Sequence, residues 1–445
     1  MTLEYGKSRL LVPALLAASI GLSGCGGGGG GDGGGGGTTP SAGITVVPDR
    51  FNFGTITEGN EDHVLPRQFI IRNEGTTSQS ISSMSLFGRD PGQFVLDDSG
   101  GNAPCGAPPF DLPGGGSCTV VAEFKPARIG EFEALLIAES DAPNTPTVGG
   151  TLEGTYEPIK SIHVTVNQVN ACAFPPKAFV SVTDQADFPI PNLVAGDFTL
   201  AGFAPGSYGV QPISRNYNDL SLSIAMDYSG SITDFPDAVD NMEAGATSLV
   251  DAMQDNDEAD IIKYADDVQP MTTEFTSDEE ILKAAIKNPP DLDRDTAFYD
   301  ATVEAIKRFD TANSTHDRKA VIALTDGEDT IVDDTEAALN DTIGEAVGAD
   351  IPVFTIGFGE FLQEAQEDEL KRLADGTGGL FYQLANDANL QQAFLQVALL
   401  LFEYQYVIEF DDLSGNEGSS LEVTVAYEGV EDATGTKTIQ ACSVQ

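Results

Sequence analysis

Two rhythms of apolar and polar residues divide the chain. From about Ile44 to Tyr156 the apolar residues come in short alternating runs between turn residues: Phe51-Asn52-Phe53, Gln68 to Arg72, Gln93-Phe94-Val95, Cys118 to Phe124 and Phe132 to Glu139. A period of two with turns at this spacing predicts an all-β sandwich. A second β-rich stretch, between about Ile162 and Tyr217, carries Phe179 to Val182, Asn192-Leu193 and Asp197 to Leu200. Tyr404 to Phe410 and Leu421 to Tyr427 close the chain in the same style. These two pieces flank the middle of the chain. The simplest geometry is therefore one small β-sandwich, residues 157–216 pairing with 403–445, into which residues 217–402 are inserted.

The middle reads differently. Buried-type runs at Leu220 to Met226, Asp260 to Tyr264, Lys319 to Leu324, Ile351 to Phe358 and Gly379 to Leu384 alternate with stretches of helical spacing. Those stretches are Phe235 to Met253, Asp278 to Ile286, Thr296 to Phe309, Thr335 to Val347, Leu362 to Ala374 and Ala388 to Leu401, with Asp375-Gly376 as a helix stop. Strands alternating with helices predict an α/β, doubly wound, mostly parallel sheet, whose ligands bind at the carboxyl ends of the strands.

The N-terminus is an address. Lys7 and Arg9 precede an apolar run, Leu10 to Leu22, that is too short to span a bilayer comfortably and ends in Ser23-Gly24-Cys25. Residues 1–24 read as a signal peptide. Leu22-Ser23-Gly24-Cys25 resembles the bacterial lipoprotein box, which implies cleavage before Cys25, acylation of its thiol and a lipid anchor in the cell envelope. Gly26, where an Asp would redirect sorting, resembles the outer-membrane default of Gram-negative lipoproteins. Gly26 to Gly37 is glycine but for Asp32, and Thr38 to Ala42 continues it without apolar residues that could form a core, so residues 25–42 read as a flexible tether with a mean reach on the order of 20 to 25 Å.

Composition narrows the partners. Asp and Glu total 70 against 22 Lys and Arg, a formal net charge of -48, so a polyanion such as nucleic acid is set aside. That charge is met by salt or cations, or is an ordinary solvated acidic surface. Five cysteines and three histidines leave little for a Cys/His metal or redox site. Without Cys25 an even four remain, and disulfides are the better use. A Cys172–Cys442 bond would join the two β pieces that flank the α/β region.

In residues 43–156, Phe53-Gly54, Ile71-Arg72-Asn73, Phe124-Lys125-Pro126, Ser140-Asp141-Ala142-Pro143 and Leu152-Glu153-Gly154 resemble the HYDIN-like, or choice-of-anchor D, immunoglobulin-like domains. The resemblance implies a spacer or adhesion module. It also places Cys105 and Cys118 where such domains carry a cross-linked loop, a Cys105–Cys118 bond worth about 3 kcal/mol.

Three oxygen-bearing groups fall at the strand ends of the α/β region. Asp227-Tyr228-Ser229-Gly230-Ser231 follows the first strand, Thr296 opens a helix, and Asp326 follows another strand in Leu324-Thr325-Asp326-Gly327. A carboxylate and two alternate hydroxyls in a tight turn can aim three hard oxygens at one point, which suits Mg2+ or Ca2+. The set resembles the metal-ion-dependent adhesion site of von Willebrand factor type A domains. The resemblance implies that Ser229, Ser231 and Thr296 contact Mg2+ (or Ca2+ or Mn2+) directly, while Asp227 and Asp326 hold it largely through water. One coordination position then stays open for a partner's carboxylate. Asp295 stands where the family often has glycine. Asp293, Asp295, Asp300, Glu328 and Asp329 admit three readings: a rim that repels acidic ligands, a second cation site, or solvated loop charges.

No HExxH, GxxxxGK[ST] or serine nucleophile elbow is present, so catalysis is set aside. The expected function is a tethered envelope protein that binds a protein partner through the cation. The alternative is a structural scaffold of the envelope in which the metal is incidental.

Overall fold

A computed structural model describes residues 43–213, 218–234, 236–291, 293–359, 362–384 and 389–441. Cys25, the apolar leader and the glycine tether lie outside the described residues, as does Cys442. Among the described residues no helix is long and apolar enough to cross a membrane. The chain forms two compact units that divide between Pro158 and Ile159.

The first unit is built of strands. In chain order they are β1 (Ile44–Val47), β2 (Arg50–Thr57), β3 (Arg67–Asn73), β4 (Gln79–Phe87), β5 (Phe94–Asp97), β6 (Phe110–Leu112), β7 (Ser117–Phe124), β8 (Gly130–Ser140) and β9 (Thr147–Glu157). They make two sheets, ordered β1-β3-β7-β5 and β2-β9-β8-β4-β6. Alternate residues of both sheets meet in one core: Phe69, Ile71 and Val120 from one sheet, Phe53, Ile81, Leu136 and Leu152 from the other. The Phe53 and Phe94 rings pack on Phe124 with centroids 6.0 and 5.1 Å away. A Cys105–Cys118 disulfide ties the loop before β6 to β7.

The second unit opens with β10 (Ile162–Asn170), β11 (Lys177–Asp184), β12 (Phe198–Leu200) and β13 (Tyr208–Pro212). It ends with β20 (Tyr406–Phe410), β21 (Ser420–Val425) and β22 (Ala433–Thr438). Early and late strands interleave. β20 runs between β11 and β13 in one sheet, and β21 runs between β12 and β22 in another. Both sheets contribute to one core that includes Val180, Phe198, Ile408 and Val423. Cys172 is disulfide-bonded.

Between these strands lies the α/β region. Its strands are β14 (Leu220–Asp227), β15 (Glu258–Tyr264), β16 (Val268–Pro270), β17 (Arg318–Thr325), β18 (Val353–Phe358) and β19 (Phe381–Leu384), in the order β16-β15-β14-β17-β18-β19. All pairings are parallel except β15 with β16. The helices are α1 (Gly230–Thr233), α2 (Pro236–Ala252), α3 (Glu279–Lys287), α4 (Phe298–Thr311), α5 (Thr335–Gly348), α6 (Glu364–Thr377) and α7 (Leu390–Ala398). Successive strand side chains point to opposite faces, so each strand feeds two cores. Leu222, Ile224, Met226, Ile322 and Leu324 pack with α2, α3 and α7, while Ala225, Val321 and Ala323 pack with α4, α5 and α6.

Two expected helix ends move. The helix expected to stop at Gly376 continues to Thr377 and ends on Gly378, whose φ of +88° is the left-handed conformation that suits glycine. The helix expected to open at Thr296 begins at Phe298, leaving Thr296 in the loop before it. Its first turn is capped from a distance, by Asp329 Oδ2 accepting from the Tyr299 N–H at 3.0 Å.

Candidate metal centre

Neighbouring parallel strands bring the acidic residues together. β14 ends in Asp227, β17 ends in Thr325, and the two strands pair in parallel register, so Asp227 and Asp326 emerge at the same sheet edge. Asp227 is fully buried and Asp326 nearly so. The Ser229 N–H donates to Asp227 Oδ1 at 2.8 Å, which closes the tight turn, and the Thr325 hydroxyl donates to Asp227 Oδ2 at 2.7 Å. Ser231 Oγ donates to Asp326 Oδ1 at 2.7 Å and lies 3.1 Å from Ser229 Oγ. Four of the five expected residues thus form one hydrogen-bonded cluster.

Thr296 is buried on the adjoining loop. Among the described residues its hydroxyl makes no hydrogen bond to the other four. Its backbone is fixed: the Thr296 N–H donates to Thr330 Oγ1 at 2.8 Å, and Thr296 O accepts from the Thr330 N–H at 2.9 Å. The same loop reaches the Asp227–Ser231 turn where the Gly230 N–H donates to Arg294 O at 2.9 Å.

The turn is anchored from below by Tyr228. Its hydroxyl donates to Glu243 Oε1 at 2.7 Å, and the ammonium of buried Lys263 sits 4.3 Å from its ring centroid. Lys263 Nζ is itself held by the carbonyls of Ile286 and Asn288 at 2.6 and 2.7 Å. A residue flanked by two candidate ligands therefore has no freedom to swing out.

Burial, with the negative charge of Asp326 added, pushes the Asp227 carboxyl up to about 7. Burial also raises Asp326. Among the described residues neither carboxylate forms an ion pair. Two buried acids side by side without a cation are an unbalanced charge, which a divalent ion would balance. The donors fit such an ion in kind as well, being carboxylate and hydroxyl oxygens, the hard ligands that Mg2+, Ca2+ and Mn2+ prefer. Among the described residues no three His, Cys, Asp or Glu side chains cluster as a softer or all-acid site requires.

The rim separates into two kinds of acid. Asp293, Asp295, Asp300 and Glu328 are exposed, but Asp329 is buried and belongs to the fold rather than the rim. Besides the Tyr299 N–H, its carboxylate accepts the Ile331 and Val332 N–H groups at 2.9 and 3.0 Å. Two groups at the site escaped the motif. Thr325 could have been noticed as a hydroxyl ending a buried strand directly before Asp326, whereas nothing in the spacing pointed to Arg294.

Residues 222–396 match the von Willebrand factor type A domain family. Among curated proteins none matches the chain. The solved structures it resembles include a von Willebrand factor type A protein from Catenulispora acidiphila, at 15% identity and a TM-score of 0.37, covering 63% of this chain and 72% of that one. Another is proximal thread matrix protein 1 from the mussel byssus with a zinc-occupied MIDAS motif, at 16% identity and a TM-score of 0.35, covering 46% and 50%. A third is the vWF domain of the type V pili tip protein Mfa5 from Porphyromonas gingivalis, at 14% identity and a TM-score of 0.32, covering 40% and 94%. The family match and the strand-end oxygen cluster fall on the same stretch of the α/β region, residues 222–396, which is similar to the von Willebrand factor type A domain.

Proposed function

We propose that the chain is a lipid-anchored protein of the cell envelope whose type A domain takes up a divalent cation and, through it, a carboxylate of a protein partner. The observation that carries this reading is the buried pair Asp227 and Asp326, lined by the hydroxyls of Ser229, Ser231 and Thr325 and matched, among the described residues, by no cation of the protein's own. Ser229, Ser231 and Thr296 would hold the ion directly, with Asp227 and Asp326 orienting its water. A bound Mg2+, or Ca2+ or Mn2+ in its place, supplies an electrophilic position that an incoming carboxylate completes. In this reading Cys25 carries the acyl chains, the glycine tether sets the stand-off, and the first unit acts as an immunoglobulin-like spacer.

The deciding experiment is calorimetric titration of Mg2+, Ca2+ and Mn2+ into the metal-stripped chain, its Asp227→Ala variant and its Thr296→Ala variant. Binding by the wild type that vanishes in both variants is expected. A folded wild type that takes none of the three ions ends the cation mechanism and leaves a structural scaffold. Partner capture that survives both chelation and Asp227→Ala would favour the scaffold as well. The anchor is tested by Cys25→Ser, which should move the chain out of the membrane fraction.

A further inference from the structure

The turn that carries Ser229 and Ser231 and the loop that carries Thr296 are far apart in sequence, and something must hold their oxygens in register. Among the described residues, the hydrogen bonds from that loop to the turn and its short helix all run through Arg294. Its carbonyl accepts the Gly230 N–H at 2.9 Å. Its side chain then folds back over the same glycine, Nη1 donating to Asp234 Oδ1 at 2.9 Å and Nη2 to Asp234 Oδ2. A Cβ on Gly230 would stand 2.9 Å from both Nε and Nη2, so a larger residue there would push the guanidinium out of this place. The loop's other ties run elsewhere, from the Ala297 N–H to Ala265 O and from the Asp293 N–H to Asp266.

We propose that Arg294, clamped to Asp234 across Gly230, is a positioning residue that holds the Thr296 loop against the Asp227–Ser231 turn and so sets the affinity for the cation. The clamp has a mechanical part and an electrostatic part. Mechanically, a planar guanidinium with two parallel hydrogen bonds fixes both distance and orientation, which a single contact does not. Electrostatically, Asp234 cancels a positive charge that lies directly over the residue between two candidate ligands. Left unpaired, that charge would oppose an incoming divalent ion. Arg294 and Asp234 are well exposed, at 61% and 57% of their side-chain surface, so salt reaches and screens the pair.

The inference rests on the cation-site reading, and one set of titrations separates the two. Mg2+ is titrated into the metal-stripped full chain as wild type, R294Q, D234N, R294Q/D234N and G230A, at low and at high NaCl. R294Q and G230A are expected to weaken binding about two- to fivefold, the range of an exposed pair with good geometry. D234N should weaken it further, because it leaves the guanidinium bare, and the double variant, which removes both charges, should fall between R294Q and D234N. The ratio between wild-type and R294Q Kd should shrink at high NaCl, whereas thermal unfolding of the metal-free variants should match the wild type. A wild-type chain that binds Mg2+ with the same Kd as R294Q and D234N at both salt levels overturns the clamp and leaves the site intact. A wild type that binds no Mg2+ overturns both.

Discussion

Two neighbouring strands of one sheet treat a buried acid in opposite ways. Asp260 in β15 is fully buried and saturated: Arg308 Nε and Nη2 each donate to it at 2.7 Å, and the hydroxyls of Ser223 and Thr272 add to its shell. Asp227 in β14, one strand away, is equally buried but, among the described residues, faces a second acid and no base. Position explains the contrast. Asp260 lies within its strand, where water cannot follow and the charge must be closed by the protein itself. Asp227 is the last residue of its strand, at the sheet edge beside loops, where packing within the sheet does not close the charge.

The sharpest way to break that contrast is to remove the internal cation. Arg308→Ala leaves Asp260 buried and unpaired, which should cost about 3–5 kcal/mol, read as the shift of the urea transition of the second unit. A loss below about 1 kcal/mol would mean that Asp260 needs no partner, and the comparison would fail. Next in size is Asp227→Asn, which removes one charge of the unbalanced pair. In the metal-free chain at pH 8 it should raise stability by on the order of 2 kcal/mol. Added Mg2+ should stabilise the wild type against heat and leave the variant unchanged. A variant less stable than the wild type without metal would show that the two acids do not strain the apo fold.

The contrast was half legible beforehand. Parallel strands that end in oxygen-bearing residues put Asp227, Ser229, Ser231 and Asp326 at one edge whatever the details of the loops, because strand register fixes where each strand stops. The alternation inside Leu220 to Met226 likewise tells which side chains go to which helical layer. What stayed hidden depends on contacts remote in sequence. Nothing near Arg294 announces that it meets Asp234, 60 residues away. Asp329 looked like a loop charge because the N–H groups it caps include one from another element. Gly376 was the plausible stop, yet the helix uses Gly378, where a Cβ would press within 2.9 Å of Val166 O. Strands were missed where side-chain pattern was weak: β4 is rich in serine, β9 carries two adjacent glycines, and β16 has three residues.

A second acid pair gives a smaller test. Asp184 and Asp187 lie close in the β-rich part of the second unit, and burial, with repulsion from Asp184, pushes Asp187 up to about 6. Here, however, Asp184 Oδ1 already accepts the Ala186 and Phe188 N–H groups at 2.7 and 3.1 Å, so this pair is not expected to respond to Mg2+. An acid raised above its unfolded value of 3.8 contributes stability that is complete below that value and is lost as the pH climbs through about 6. Asp187→Asn should therefore gain about 1 kcal/mol at pH 8, nothing at pH 3, and flatten the profile between. Asp187 sits at φ 60°, a conformation asparagine adopts readily, so the substitution brings no backbone penalty. An Mg2+-dependent shift that disappears in Asp187→Asn would show that an acid pair alone, without the hydroxyl turn, suffices for a cation.

The smallest effect should come from Thr325→Val, which keeps shape and burial and deletes only the hydroxyl that holds Asp227 Oδ2 at 2.7 Å. The Ser229 N–H still fixes the other oxygen at 2.8 Å, so the carboxylate keeps one anchor and loses one. A hydrogen bond that orients a ligand without touching the ion is worth about two- to fivefold in Kd for Mg2+. If Thr325→Val matches Asp227→Asn in abolishing binding, the hydroxyl is itself part of the ligand set. If its Kd equals that of the wild type, the turn alone aims Asp227, and the contrast with Asp260, whose shell is built from several elements, becomes sharper: the internal acid is held by packing across strands, the outward one by its own two-residue turn.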